Sequence, residues 1–416
     1  MPSLIHTADV HLGARHTDLG DRATALRERQ LAAFAASIDL ALAERVDLFL
    51  IAGDLFDSNV QPRRTVDRAA AELRRLVEAR IRTVIAPGTH DVYDRSSIYR
   101  AYDLPAMAGA VGSDFLTVLN PDRPEVVLPA LDLVVHSPCF ASKRAPYSPL
   151  RDLDAAKDDR ATWHVGLLHA AIAIPNQTDR DEVVITTEEI AASHLDYLAL
   201  GHWHSTSHGK AGSTPWAYSG APEAVAIDQD RAGSVLLVTL EGKPGKKKVT
   251  IEQRAVATTH YERLELDAAT VASQPGVVEQ LAARANPDLA LDVRLIGVRP
   301  ETLDLDPAEV EAALAERFLR IRVRDRSVAP LTEGVLPSTE TVLGAFIHDL
   351  EGRIAELEAE SAVAGHTNGT QADATGEPRA MDAAGATDAA ETDPASELRD
   401  ALRLGRLLLA GEEVTL

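Results

Sequence analysis

Five apolar runs in this chain stop on residues that carry chemistry. "HTADVHLG" (6–13), "LFLIAGDLFDS" (48–58), "VIAPGTHDVY" (84–93), "WHVGLLH" (163–169) and "LALGHWHS" (198–205) each read as a short strand ending in Asp or His. Strands this short and this apolar belong to a sheet covered by helices. Their polar residues then fall at strand C-terminal ends, where the chain turns into loops and side chains from distant segments can converge.

The spacing between the runs agrees. Ser3 to Thr7, Val46 to Ala52 and Arg82 to Ala86 are predicted strands, separated by predicted helices from Arg22 to Glu44 and Pro62 to Ala79. That is a βαβαβ opening. From 115 to 260 the balance tips toward strands, with "LDLVVHSP" and "GSVLLVTL" added to the later runs, so the fold class is α+β. "LALDVRLIG" and "LRIRVRDRS" frame a helix start at Asp306, Pro307 and Glu309, which predicts a small α/β unit. A helix follows from about Ser338 to Glu358, with Leu343, Ile347, Leu350, Ile354 and Leu357 on one stripe. Residues from about 360 to 394 hold almost no large apolar side chain and are predicted to be a disordered linker. The leucine-rich 397–409 segment beyond is helix-like and needs a surface, on this chain or on a partner. The expected boundaries are 1–265, 266–335, 336–360, 361–395 and 396–416.

Composition narrows the class. One cysteine, Cys139, excludes a disulfide framework and a Cys-rich zinc module, and makes a reducing cytoplasm the expected compartment. No run suits a signal peptide or a membrane span. The net charge of −22 speaks against a phosphate-rich partner, but residues 1–260 carry only 34 acids against 28 bases, and the excess lies beyond them. Lys246, Lys247 and Lys248 form the only basic run and read as a hairpin turn. Arg63, Arg64, Arg74 and Arg75 read as the solvated face of a helix.

Taken singly, Asp9, His11, Asp54, His90, Asp91, His169, His202 and His204 are turn, cap or packing residues. Taken together, one Asp-x-His, one Gly-Asp, one Gly-x-His-Asp, one strand-end His and one Gly-His-x-His point to a shared metal site. Imidazole and carboxylate donors suit Mn²⁺, Fe²⁺ or Zn²⁺ better than Mg²⁺. A pair of such ions about 3.5 to 4 Å apart can clamp a phosphate and ionise a water, the requirement for phosphoester hydrolysis. His6, His16, His136, His164, His194, His208 and His260 fall outside these patterns and are expected to be structural.

This set resembles the calcineurin-like metallophosphoesterase superfamily. Within it, "ADVHLG", "AGDLFD" and the later "YSGAPEA" look most like the SbcD-type DNA-repair nuclease subunits, in particular the YhaO-type exonuclease branch. The resemblance covers roughly the first 260 residues. It implies a four-layer αββα sandwich with a small α/β capping domain and C-terminal helices. It also implies two divalent ions, Mn²⁺ first among them. Asp9, His11 and His204 would hold one ion and His169 and His202 the other, with Asp54 bridging. His90 would act on the transition state or the leaving oxygen, with Asp91 orienting its ring. The implied activity is that of a DNA exonuclease or endonuclease, and the implied partners are DNA and an SbcC-like coiled-coil ATPase docked on the C-terminal helices. Tyr99, Tyr102, Leu104 and Met107 lie where the resemblance places a homodimer interface, and where a core role is equally open.

Thr89 departs from the pattern. The family has Asn there, whose amide oxygen completes the second ion's shell, and a threonine hydroxyl is a weaker and shorter donor. Two outcomes stay open: a tolerated variant in a working site, or loss of the second ion. Two rival functions follow, a phosphatase or phosphodiesterase on nucleotides or phosphoproteins, and a non-catalytic adaptor.

Overall fold

The computed structural model describes residues 1–16, 23–174, 178, 182–224, 229, 231–300, 302–327 and 338–367, together with 398, 401, 402 and 405. The chain opens with β1 (Ser3–Thr7), α1 (Ala23–Glu44), β2 (Leu48–Ala52), α2 (Arg63–Glu78) and β3 (Arg82–Ala86). Then come α3 (Ile98–Ala101), α4 (Leu104–Met107), β4 (Leu116–Val118), β5 (Glu125–Leu128), β6 (Leu133–His136) and β7 (Trp163–His169). Next are β8 (Ala171–Ile172), β9 (Val184–Ile185), α5 (Thr187–Ala192), β10 (Tyr197–Gly201), β11 (Ser207–Ala211) and β12 (Thr214–Tyr218). The hairpin β13 (Ser234–Glu241) and β14 (Lys248–Ala255) precedes β15 (His260–Asp267), α6 (Gln274–Ala282) and β16 (Asn286–Ile296). Last are α7 (Pro307–Leu314), β17 (Phe318–Asp325) and α8 (Val342–Thr367).

Contacts divide the chain into two compact units. The first comprises Met1–Leu264, Val278–Val293 and Pro307–Arg324, and the second Glu265–Val277, Arg294–Asp306 and Asp325–Leu416. The sequence had suggested one contiguous unit over 266–335; the contacts instead group 278–293 and 307–324 with the first. Strands β15, β16 and β17 form a three-stranded sheet in that order.

The first unit holds two six-stranded sheets, ordered β14-β13-β1-β2-β3-β4 and β11-β12-β10-β7-β6-β5. Strand alternation sets the layers. Leu48 and Leu50 of β2 join Leu133, Val135, Val165, Leu167 and Tyr197 in a core between the sheets. Phe49 and Ile51, on the opposite face, pack with Phe34 and Ile38 of α1 and Leu73 of α2. Leu168 and Leu198 turn away from the inter-sheet core toward Ile190 of α5. The result is the α+β, helix-sheet-sheet-helix sandwich. Each fully buried Leu or Phe contributes about 1.5–3 kcal/mol to it.

Strands β1, β2 and β3 are adjacent and parallel, as are β7 and β10. The five chemistry-bearing runs are these strands, so within each sheet their polar ends share one edge. Lys246–Lys248 sit at the turn and start of the β13–β14 hairpin, where Lys247 Nζ lies 2.7 Å from Asp196 and over the Trp163 ring. Leu104 is fully buried and Tyr99, Tyr102 and Met107 pack on the same core, which favours the core reading of these residues.

In the second unit, Ile347, Leu350 and Ile354 of α8 are buried within the chain itself. A Cβ at Gly405 would overlap the Phe346 ring, so Gly405 lies against α8. The linker expectation needs one correction: residues 361–367 continue α8, although Gly365 and Thr367 are weak helix formers. Residues 368–395 lie outside the described residues, and of 396–416 only four positions are described.

Candidate metal centre

The loops after β1, β2, β3 and β10 are stitched together by their main-chain N–H groups. Asp9 N donates to Gly53 O at 3.1 Å and His11 N to Asp54 O at 3.0 Å. His90 N donates to Asp54 Oδ1 at 2.8 Å, and His202 N to Asp9 Oδ1 at 3.0 Å. This stitching requires unusual backbone: Asp9, His11, Asp54 and His202 have φ of 52°, 48°, 51° and 106°. Left-handed conformations at four non-glycine positions are costly and persist only where the surroundings fix them. Two glycines are required by close approach. A Cβ at Gly53 would overlap the His169 ring, and one at Gly88 would overlap the Asp54 carboxylate.

Side chains converge accordingly. Ligand atoms of Asp9, His11 and His204 lie within 4.8 Å of one another, as do those of Asp9, Asp54 and His169. His169 Nε2 is 3.2 Å from Asp54 Oδ2, and His11 Nε2 is 3.8 Å from the same oxygen, so Asp54 stands between the two groups. The His202 ring meets His169 edge-on at 5.4 Å. Thr89 is buried and lines a pocket together with His169, Gly88 and Ser137.

The donor set fits divalent ions on three observations. His169 Nδ1 donates to Ala52 O at 3.0 Å, which leaves Nε2 with a lone pair, and that buried nitrogen has no hydrogen-bond partner. His11 Nε2 faces His204 Nε2 at 3.2 Å. Two nitrogens at about 2.1 Å from one ion would lie about 3 Å apart, so this pair has the spacing of shared ligands. Finally, the Asp57 carboxylate lies 3.3 Å from His11 Nδ1, where it favours a proton on that nitrogen and a lone pair on Nε2. The far nitrogen of His204, Nδ1, is 2.5 Å from the Gln229 amide nitrogen.

Electrostatics follow from the crowding. Burial opposes ionisation of Asp54, yet the His169, His11 and His90 rings outweigh it and hold its carboxyl well below the usual range. Burial works against a charged His169 too, and the Asp54 and Asp9 carboxylates overcome it to raise the imidazole. Burial and then the His11 ring lower His204. A site of alternating donors and acids is built to receive cations.

His90 stands at the exposed edge of this cluster, its ring 4.7 Å from that of His11. Its Nδ1 donates to the Asp57 carbonyl at 2.8 Å. The expectation that Asp91 orients this ring is corrected. Asp91 is fully buried and accepts from Gly88 N at 2.7 Å, Phe56 N at 3.2 Å and the Tyr99 hydroxyl at 2.6 Å, so its carboxylate braces two loops. Burial and the nearby Asp54 charge raise its carboxyl. Asp57 therefore does what was assigned to Asp91, and also steadies His11. Its position in "AGDLFD", three residues after Asp54, was the available signal. Gln229 and the Tyr99 hydroxyl left no comparable trace.

The calcineurin-like phosphoesterase family profile matches residues 2–206, which include Asp9, His11, Asp54, His90, His169, His202 and His204. This stretch is a calcineurin-like phosphoesterase domain, of the class of metal-dependent phosphoesterases. Relatives extend further along the chain. The DNA double-strand break repair protein Mre11 of Aeropyrum pernix is 30% identical over 261 residues, 61% of this chain and 62% of that protein. The Mre11 of Methanopyrus kandleri is 25% identical over 380 residues, 85% of this chain and 75% of the relative. The metallophosphoesterase YhaO of Bacillus subtilis is 24% identical over 218 residues, 49% of this chain and 48% of its own. The chain thus spans less than two thirds of the Aeropyrum protein's length.

Proposed function

We propose that this chain is a two-metal phosphodiesterase that cleaves DNA in repair. The observation that carries the proposal is the single cluster of Asp9, His11, Asp54, His169 and His204, with His90 at its open edge. Asp9, His11 and His204 would hold one ion and His169, His202 and Thr89 the other, with Asp54 between them. Bound there, Mn²⁺, Fe²⁺ or Zn²⁺ would supply charge to clamp the phosphate and ionise a water. The chain's own residues do the rest. His90, with Nδ1 fixed on the Asp57 carbonyl, keeps Nε2 for a phosphate oxygen or a leaving oxygen. Asp54 positions His90 through its N–H, and Asp91 holds the two flanking loops in register.

The names of the Mre11 relatives support DNA as substrate. So does local charge. Arg15, Arg27 and Arg64 line an open pocket together with Asp57, close to the cluster, although the chain as a whole is acidic. Arg63 and Arg75, by contrast, pair with acids and read as a solvated face. The C-terminal helices would dock an SbcC-like coiled-coil ATPase.

The test compares linear duplex DNA with a small phosphomonoester, each with Mn²⁺. Cleavage at duplex ends that disappears in His90→Ala supports the reading. Turnover of the monoester with intact DNA would place the chain among phosphatases of nucleotides or phosphoproteins. No turnover of either substrate by wild type, with activity on DNA regained in Thr89→Asn, would favour the adaptor.

A further inference from the structure

We infer that His136, His164 and Asp158 form a second, separate cation site, for Zn²⁺ or a similar borderline transition metal, on the outer face of the β11-β12-β10-β7-β6-β5 sheet. β6 and β7 are parallel, with Val134 opposite His164 and His136 opposite Gly166, so the two histidines lie on one face. Their neighbours Leu133, Val135, Val165 and Leu167 occupy the inter-sheet core, which turns both imidazoles the other way.

The geometry is that of a three-ligand site. His136 Nε2 and His164 Nδ1 are 3.1 Å apart, and Asp158 Oδ2 lies 3.8 Å from the first and 3.9 Å from the second. A point in the plane of these atoms stands about 2.1 Å from all three, the ordinary Zn–N and Zn–O distance. Both rings are 4–5% exposed.

Proton positions strengthen the case. His164 Nε2 donates to the Ala161 carbonyl at 3.0 Å, so its Nδ1 carries a lone pair. His136 Nδ1 is 3.5 Å from Glu125 Oε2, and a proton there leaves Nε2 with a lone pair as well. Two lone pairs facing each other at 3.1 Å repel unless a positive charge lies between them. A proton on His136 Nε2 alone would set a bare Nδ1 against the Glu125 carboxylate. A metal ion satisfies every atom. Each ring then has its remaining N–H on a carbonyl or carboxylate, the arrangement that metal-bound histidines adopt.

Arg160 completes the frame. Its guanidinium bridges Glu125 and Asp158, with Nη2 at 2.8 Å from Glu125 Oε2 and 2.7 Å from Asp158 Oδ2. Two acids against one guanidinium leave one negative charge for a dication, and two imidazoles with one carboxylate select Zn²⁺ over Mg²⁺ or Ca²⁺. Residues Ser137 to Phe140, which follow His136, line the pocket that also holds Thr89 and His169. An ion at His136 would anchor the base of that wall.

The test counts zinc on the full chain by equilibrium dialysis against Zn²⁺ and elemental analysis, in wild type, Asp54→Asn, His164→Gln and Glu125→Gln. Asp54→Asn is expected to retain this equivalent. His164→Gln is expected to lose one equivalent and to keep Mn²⁺-dependent phosphodiesterase activity. Glu125→Gln should keep the equivalent but bind it about 10–100-fold more weakly. Zinc content and affinity equal to wild type in His164→Gln overturn the site. Should circular dichroism find His164→Gln unfolded, Glu125→Gln decides: weakened zinc binding supports the site, and unchanged affinity overturns it. A wild type inactive on DNA would sink the phosphodiesterase reading and leave the zinc count intact.

Discussion

Strand β7 carries a histidine near each end, and the two report different ways of assembling a polar cluster. His169, at the C-terminal end, joins Asp9 and Asp54 through loops whose ligands sit in left-handed backbone. His164, near the start, meets His136 across a regular parallel pair with no such backbone. The strand-end cluster needs Gly53 and Gly88 for close approach and pays in conformational strain. The strand-face cluster needs only alternation and register. Chemistry that moves a substrate is placed where the backbone is exceptional and the ring of His90 is open. A cluster on a sheet face is enclosed and suits a structural ion.

Breaking the strand-end cluster should have the largest consequence. Asp54→Ala removes the carboxylate between His169 and His11 and the acceptor of His90 N–H, so Mn²⁺-dependent DNA cleavage should fall to background, read with end-labelled duplex. His90→Ala should lower the cleavage rate by about 10²–10⁴ while bound Mn²⁺ stays at the wild-type amount, since general acid catalysis contributes on that scale. Retained cleavage in either variant would contradict the division of roles.

A third histidine sharpens the contrast because no carboxylate among the described residues pairs with it. His6 is fully buried, 2.8 Å from the Tyr197 hydroxyl, and burial holds its imidazole down at about 3. With the folded value below the unfolded one, its contribution to stability is complete above about pH 6.5. It is lost as pH falls toward about 3, at roughly 1.4 kcal/mol per pH unit. Urea midpoints at pH 7 and pH 4 should therefore separate more in wild type than in His6→Gln; equal separations would contradict the burial argument.

Tyr99→Phe tests the bracing assigned to Asp91. Removing one of three donors to a buried carboxylate should cost about 1.5–3 kcal/mol in chemical denaturation, with metal content unchanged. The smallest effect is expected from Thr89→Asn, a several-fold drop in the Mn²⁺ concentration giving half-maximal cleavage, on the scale of a single added donor, below the roughly 10–100-fold of an outer-contact loss. A higher Mn²⁺ requirement would mean that threonine already serves the site.

What could be read from the sequence follows the same divide. β1 and β3 were placed to the residue, and α1 and α2 to within one, because apolar period and length fix such elements. The ligand candidates were legible because strand-end chemistry leaves paired residues beside glycine. Asp57 was quoted within its segment but given no role, because which main-chain carbonyl reaches the His90 ring depends on how loops from different strands meet. Asp91 was misassigned for the same reason. His136 and His164 passed as structural because a residue on a sheet face has no local signature; only register brings β6 and β7 histidines together. The extent of α8 was underestimated because residues 361–367, with Gly365 among them, carry no apolar stripe that would mark a helix.

The most direct measurement is anomalous diffraction from crystals of the full chain grown with Mn²⁺. The account predicts two peaks about 3.5–4 Å apart, one among Asp9, His11 and His204 and one beside His169, with Asp54 touching both. Peaks elsewhere, or none within reach of those side chains, would contradict it.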